Sequence, residues 1–439
     1  QVRIPGFVSA MKFKNEDADV RQVGEALNVE YVVEGTVEQI NDQVRIAVNV
    51  YDAATGNLVW NGLFNESKER VFKAQEDLAK AIGNALSVTL DVSSETLAAN
   101  RTQDSEAYHT YVRGISLLEQ RGDALVRSIA LLERAVELEP DFAAAWAALS
   151  IAYNIAPTYL RVAGGEQVRP SVYYRRSKNA ALKALDLDPE LSEVQHAAGN
   201  MYQRDRQWIQ SERAYQRALE LDPANHRAMQ DYGGLLQTVG KPKQALELLE
   251  RAKALDPNND LYRLMLARLS FQLSETEEEV AEIEAIFRET PSLRELAFRP
   301  IIAAGARVGE LDKARDLIVS CVTCTQRFRS RALSLINSAG VVPAKEIYEA
   351  YRDEPYLTYM FLYRYGDLDV ALDLFEYNAL ESNYRLQYFT VPWGMINIVG
   401  SADRFDEIVE DMGLVTYWRR NGWSPMCEPT PTGPRCQRK

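Results

Sequence analysis

Four cysteines and three histidines are the residues of this chain whose types could support redox, metal or nucleophilic chemistry. Cys321 and Cys324 form a C-x2-C step, and Cys427 and Cys436 close the proline-rich tail CEPTPTGPRC. Three kinds of chemistry fit the tail pair. A short step at a helix-incompatible chain end suits a disulfide staple, which implies an oxidising compartment. Free thiols are the second reading. A four-sulfur zinc site is the third, with a tail spacing that is long for a zinc knuckle. The C-x2-C pair falls near the expected C-terminus of a helix, whereas a redox-active pair draws its low thiol pKa from a helix N-terminus. Cys321 therefore reads as a core residue, with a local Cys321–Cys324 bridge left open. His109, His196 and His226 stand at unrelated register, with no H-x3-H or H-E-x2-H pair. Neither a phosphate loop G-x4-G-K-[ST] nor a nucleophile elbow G-x-S-x-G occurs. The carboxylates fall on helix faces and first turns, as in EEEVAEIE, and give no acid–base pair. The expectation is that the chain is not an enzyme, with no catalytic residues, no cofactor and no metal.

The elements that would have to position such residues belong to a protein of 439 residues, long enough for two or three domains. Its 46% apolar and 26% charged content is that of an ordinary globular chain. Lys plus Arg number 50 against 63 Asp plus Glu, a net charge of −13. That argues against nucleic acid as a partner of this segment, because a binding face must be basic to displace counterions. No 18-residue apolar run is present, so no membrane span is expected here. The chain opens on Gln1, not Met, and reads as a piece of a longer or processed protein. The lack of a targeting signal is then uninformative.

The organising pattern is a ladder of prolines closing acidic helix ends: AVELEP at Pro140, ALDLDP at Pro189, ALELDP at Pro223, AKALDP at Pro257 and IFRETP at Pro291. The last four stand 34 residues apart, and the first gap is 15 residues longer. A fixed 34-residue period is the signature of the tetratricopeptide repeat, a pair of antiparallel helices stacked on its neighbours. The register places Trp146, Leu149, Ser150 and Tyr153 at consensus positions of one repeat. It places Gly199, Tyr202, Tyr215 and Ala218 in the next, and Gly233, Ala245, Leu249 and Ala252 in the one after. Small residues belong where helices approach closely, and large ones fill the gaps between pairs. The first repeat, with Gly114 and Ala135, is slightly stretched. The last is degenerate, with Ile286 in place of Ala. The insertion, about 157–170, lies between the two helices of the second repeat and carries Gly164, Gly165, Arg161 and Arg169. First-helix positions facing the concave side are His196, Asn200, Gln203, Arg204, Arg227, Gln230, Gln237 and Arg268. These form the candidate peptide groove, since an extended peptide would meet polar side chains there. A solvated polar face is the alternative. A terminal-carboxylate clamp is not expected, because His196 stands where such a set needs Lys.

In front of the repeats, Asp19 is a candidate N-cap for VRQVGEALNV. YVVEGTVEQI and QVRIAVNVYD, joined by Asn41-Asp42, read as a hairpin, with Val44, Ile46, Val48 and Val50 on one face. NLVWNGLFNE is a third strand, and SKERVFKAQEDLAKAIGNALSVTL an amphipathic helix with Val71, Phe72, Leu78, Ile82 and Leu86 as its core face. Gly35 and Gly56 read as turn and packing glycines, and Trp60 as a sheet-face aromatic. The run from VRQVGEALNV through EGTV and DAATGNLVW to AQEDLAKAI resembles the TolB-amino-terminal-like (FlgO-like) domain. In bacteria that domain precedes tetratricopeptide repeats in CadC-type membrane-anchored transcriptional regulators and in some class III adenylate cyclase chains. The family domain starts with a further strand and helix that are missing here; either an edge of the sheet is absent or a partner supplies it, and an open edge is prone to pairing with other chains.

Behind the repeats, GELDKARDLI and YGDLDVALDLFEY read as further second helices, with Ala314 as a small residue. FLYRY, YFTVPWGMINIV and IVEDMGLVTYWRRNGW supply aromatic cover. DRFDEIVEDMGLVTYWRRNGWSPMC is similar to the end of the same regulator and cyclase-associated chains, and that resemblance implies a Cys427–Cys436 disulfide and an extracytoplasmic site. The expected fold is an α+β domain (a β-meander with flanking helices) over 1–92, an all-α tetratricopeptide solenoid over 104–293, and degenerate helical repeats with a cap over 294–439. The expected function is a protein-interaction or sensory module holding a protein or peptide in the repeat groove. The resemblance places it on the periplasmic side of a bacterial inner membrane, in a parent that is membrane-anchored. The alternatives are a cytoplasmic scaffold or assembly factor and an accessory region of an adenylate cyclase.

Overall fold

A computed structural model describes residues 5–14, 18–67, 71–86, 104–159, 162–163, 166–167, 170–274, 277–294, 296–298, 300–301, 311–322, 324, 326–338, 345–346, 349, 368–377, 403–431 and 433–436. A short helix α1 (Phe7–Met11) and helix α2 (Val20–Leu27) precede three strands, β1 (Tyr31–Ile40), β2 (Gln43–Asp52) and β3 (Leu58–Ser67), and a helix α3 (Val71–Ala85) follows. The strands form an antiparallel sheet in the order β1-β2-β3. Ile40 faces Gln43, so the first hairpin has a two-residue loop, and Asn41 takes the positive φ of 56° that such a turn needs. Asp19 caps α2 by accepting the Arg21 N–H. Val44, Ile46, Val48 and Val50 are buried on one sheet face, where Trp60, Phe64, Leu78 and Ile82 pack. Of the predicted amphipathic helix the structure describes α3, Val71–Ala85; the ends of the sequence pattern and the side chains of Val71 and Phe72 lie outside the described residues.

Ten helices follow as five antiparallel pairs. They are α4 (Ser105–Gln120) with α5 (Ala124–Leu138), α6 (Ala143–Tyr159) with α7 (Pro170–Leu187), α8 (Ser192–Arg204) with α9 (Trp208–Leu221), α10 (His226–Thr238) with α11 (Pro242–Leu255), and α12 (Asp260–Ser274) with α13 (Glu277–Glu289). The ladder prolines end the second helices. A proline forces the residue before it out of the helical region, and Glu139 and Asp222 are extended, at φ −136° and ψ 95–96°. The insertion lengthens α6 through Pro157 and opens α7 at Pro170, with a short hairpin of β4 (Val162–Ala163) and β5 (Glu166–Gln167) between them. Gly164, Gly165, Arg161 and Arg169 lie outside the described residues.

In the first four pairs the first helix presents a small residue, Gly114, Ser150, Gly199 or Gly233, where the second helix packs against it. A Cβ at Gly114 would lie 2.8 Å from Leu132, and one at Gly199 would lie 2.7 Å from the Tyr215 ring. In the first three pairs a hydroxyl of the second helix donates to the carbonyl of that same small residue. Ser128 donates to Gly114 O and Ser211 to Gly199 O, each at 2.8 Å. In the second pair Ser177 donates to Ser150 O at 2.9 Å while Ser150 donates to Ser177 O at 2.9 Å.

Helices α14 (Leu311–Ser320), α15 (Gln326–Ser338) and α16 (Leu368–Glu376) follow, then α17 (Asp403–Asp411), α18 (Leu414–Asn421) and a hairpin of β6 (Cys427–Thr430) with β7 (Gly433–Cys436). FLYRY and YFTVPWGMINIV lie outside the described residues. Cys321 is bonded to Cys324, and Cys427 to Cys436 across the hairpin. Helix α18 returns to the middle of the solenoid. Trp418 donates to Val239 O at 2.8 Å, and Trp208 of α9 donates to Met412 O at 2.7 Å. Between them Glu212, buried on α9, accepts from Tyr232, Tyr417 and Asn421.

Replacing Gly199 by Ala drives a methyl into the Tyr215 ring and should cost about 1–3 kcal/mol by overpacking, more than the ~1 kcal/mol gained in helix propensity. Gly233→Ala meets Leu249 only at 3.3 Å and should be close to neutral. Denaturant midpoints of the two variants against the parent check the contrast.

Candidate functional site

The inner helices α6, α8 and α10 of three successive pairs place a line of polar side chains side by side. Asp231 is its centre. One carboxylate oxygen takes His196 Nε2 at 2.8 Å and the Asn200 amide at 2.9 Å, and the other takes the Gln230 amide at 3.1 Å. Asn200 Oδ1 in turn accepts from the Asn154 amide at 2.9 Å, and Asn154 Oδ1 accepts from Arg204 at 3.0 Å. The donors run in one direction, from the Arg204 cation through two amides to the Asp231 carboxylate. Each amide is thereby fixed in orientation, because a flip would set donor against donor. The Arg204 guanidinium also lies over the Tyr174 ring, 3.6 Å from its centroid, a cation–π contact from α7. His196, Asn200 and Asn154 are each at most 3% exposed, so the line is an interior network and not a solvated stripe.

The remaining candidate residues go elsewhere. Gln203 turns toward α9 and accepts from Tyr215 at 3.0 Å; its amide nitrogen is buried with no hydrogen-bond partner among the described residues. Gln237 donates to Gly233 O of its own helix at 3.4 Å. Arg268 is half-buried on α12. Arg227 reaches across the curve of the solenoid and pairs with Glu119 of α4 at 3.1 Å, joining the first and fourth pairs. Burial disfavours the Arg227 charge, but Glu119 beside it, with Tyr111, Glu193 and Tyr262 near, outweighs that and raises its pKa. Next to it His226 Nδ1 meets the Tyr262 hydroxyl at 2.5 Å. Burial first and the Arg227 charge second push the His226 imidazole below its ordinary value, and burial pushes the Tyr262 phenol well above its own. The pair is therefore a neutral imidazole accepting from a protonated phenol.

Helix α1 seats on the same side, at the turn into the fifth pair. Gly6 N–H donates to Leu255 O at 2.7 Å, Ser9 N–H to Asp256 Oδ1 at 2.9 Å, and Asn258 N–H to Ser9 Oγ at 2.8 Å. A Cβ at Gly6 would lie 2.3 Å from Asp256 Cγ, so only glycine permits this approach.

Asn154, Asp231, Tyr174 and Glu119 are the partners that repeat register did not single out. A weak signal exists for Asp231. It follows His196 by 35 residues and Asn200 by 31, straddling the 34-residue period as neighbours on adjacent stacked helices must. Glu119, 108 residues from Arg227, has no periodic signature.

The family model for the tetratricopeptide repeat matches residues 204–273, the stretch from the end of α8 through α12. The middle of the chain is a tetratricopeptide-repeat solenoid. A protein of Rhizobium meliloti (strain 1021) named "Putative adenylate cyclase 3" is 32% identical over 145 residues, 33% of this chain and 25% of its own length. The chain thus spans about a quarter of the curated relative it matches. Among solved structures, YrrB, described as a tetratricopeptide protein with an unusual peptide-binding site, aligns with 46% of this chain and 97% of its own at 18% identity, TM-score 0.29. Yeast Tom70 aligns with 74% of this chain and 69% of its own at 17% identity, TM-score 0.37. Scores this low do not indicate a shared overall arrangement.

Asp231→Ala strands the Asn200, Gln230 and His196 donors in the interior. It should lower stability by about 3 kcal/mol, seen in urea unfolding. The His226 effect has a definite sign. With the folded pKa depressed, the unfolded chain binds the extra proton first as pH falls through about 6.5. Stability from this residue is complete above that pH and declines below it. His226→Gln should flatten that part of a stability–pH curve measured between pH 5 and 8.

Proposed function

We propose that the chain is a non-catalytic protein-interaction module whose partner is a peptide segment received along the inner helices of the repeats. The observation that carries this is the directional network from Arg204 to Asp231. It spends buried polar groups on fixing the inner faces of three consecutive pairs relative to one another. A network of this kind holds a binding face rigid and lowers the ordering cost of association. Gln230, Arg227 and Arg268 stand beside it as the polar groups a peptide backbone would meet.

The disulfides at Cys321–Cys324 and Cys427–Cys436 support an extracytoplasmic setting, because such bonds persist in oxidising compartments. The resemblance of residues 1 to about 90 to envelope regulators supports a sensory role in a larger signalling protein. The cyclase-named relative favours a second reading, in which the chain is the accessory region of a longer adenylate cyclase.

Peptides selected from a random library for binding to the 439-residue chain provide the test of the first reading. Their affinity should fall at least about tenfold in Arg204→Ala and Gln230→Ala, with retained helicity by circular dichroism. Selected peptides that bind both variants as tightly as the parent would sink the groove assignment. Incubation with ATP and Mn²⁺ should yield no cyclic AMP; steady turnover by the purified chain would refute the non-catalytic reading.

A further inference from the structure

The two disulfides stand in unlike surroundings. Cys427–Cys436 ties the tail hairpin, and both of its residues are buried in the core. Cys321–Cys324 closes the turn between α14, which ends at Ser320, and α15, which begins at Gln326. Cys321 is buried, Cys324 is half-buried, and Val322 between them is 87% exposed, so the bridge reaches the surface through Cys324. A bond between residues only three apart removes little chain entropy from the unfolded state. It also joins helices that the chain already holds together at that point. Although the pair follows a helix C-terminus, as its spacing implies, it also precedes a helix start. Cys324 stands two residues ahead of α15, at the positive end of a 13-residue helix. The negative end of α14 is compensated, because the Cys321 carbonyl accepts from the Cys324 N–H at 3.3 Å and from Arg329 Nη2 of α15 at 2.6 Å. Arg329 Nε is buried with no hydrogen-bond partner among the described residues. The guanidinium therefore keeps an unused donor beside Cys321, and no carboxylate among the described residues pairs with it.

We propose that Cys321–Cys324 is a thiol–disulfide exchange site that takes two electrons from a dithiol partner, while Cys427–Cys436 is structural. Exposure sets the order of attack. A thiolate of the partner attacks Cys324 Sγ, forming a partner–Cys324 bond and breaking the Cys321–Cys324 bond. Cys321 leaves as a thiolate beside the Arg329 cation, which favours its departure because a thiol of lower pKa leaves faster. The partner's second thiol, deprotonated in its turn, attacks the partner's own sulfur in the mixed disulfide and displaces Cys324. The partner ends as a disulfide and the pair as two thiols. The two protons given up by the partner's thiols are made good on Cys321 and Cys324. The same steps reversed restore the bridge. The exchange is stoichiometric and is compatible with a non-catalytic interaction module. It lets the chain register the thiol–disulfide state of its surroundings at one bond while the other keeps the tail closed.

Dithiothreitol applied to the native 439-residue chain, with iodoacetamide trapping and peptide mass spectrometry, tests this. Cys321 and Cys324 should be alkylated at least about tenfold faster than Cys427 and Cys436, and the two rates should converge in denaturant. A brief exposure to glutathione, quenched with acid, should leave the adduct on Cys324. Arg329→Gln should slow reduction of the Cys321–Cys324 bond about threefold or more, and Arg329→Lys should restore most of the rate. Circular dichroism and the Cys427–Cys436 rate should stay unchanged in both variants. Equal rates for the two bonds in the native chain, or resistance of both until denaturant is added, overturns the proposal. An adduct on Cys321 overturns the order of attack, and an Arg329→Gln rate equal to the parent's overturns the role of the cation.

Discussion

The close approach of the two helices within each pair is the constraint on which the remaining structure rests. It is met by the same device in the first three pairs: a small residue on the first helix, and a hydroxyl on the second that donates to that residue's carbonyl. Gly114 with Ser128, Ser150 with Ser177, and Gly199 with Ser211 are the instances. The hydroxyl compensates a carbonyl that the tight crossing would otherwise crowd, and the missing side chain lets Leu132 or Tyr215 fill the gap. The fourth pair keeps Gly233 but has Ala245 at the position of the serine, and there the fit is looser, with Leu249 at 3.3 Å from a built Cβ. Once the pairs are set, their inner helices lie at fixed spacing, and only then can Asn154, Asn200 and Asp231 meet across three of them.

Much of this was legible in the residues. The prolines mark each second-helix end because each forces its predecessor into extended backbone, and Glu139 and Asp222 adopt it. The alternation of Val44, Ile46, Val48 and Val50 announced a half-buried strand, and it is one. Of the repeat glycines, Gly114 and Gly199 were legible because a Cβ there would run into Leu132 or the Tyr215 ring. The candidate site was legible only in its membership. Register located His196, Asn200, Arg204 and Gln230 on the inner helices. It did not reveal that they bond to one another, because the acceptors Asp231 and Asn154 sit one residue away from positions singled out for other reasons. Periodicity describes neighbours one repeat apart. It says nothing about Arg227 meeting Glu119 three pairs back, a contact set by the curvature of the whole stack.

That curvature ties the ends of the repeat array to its interior. Arg227 bridges the fourth pair to the first, Gly122 of the first turn lies near Ser292 past the fifth pair, and α1 fastens at Leu255 and Asp256. An ordinary solenoid is stabilised only by nearest neighbours. Here contacts between distant pairs add cooperativity, so local opening of one pair is resisted by pairs that it does not touch in sequence.

The return of α18 to the third and fourth pairs has a consequence for how the protein is made. A ribosome delivers the chain from its N-terminus, and each helix pair can form as it emerges. Glu212 and Trp208 are then complete on α9 about 200 residues before their partners Tyr417, Asn421 and Met412 exist. Through that interval a carboxylate and an indole destined for the interior stay at the surface. The nascent solenoid therefore carries a sticky, half-finished flank until α18 has emerged. The hairpin closed by Cys427 and Cys436 follows directly behind the helix that finally covers it.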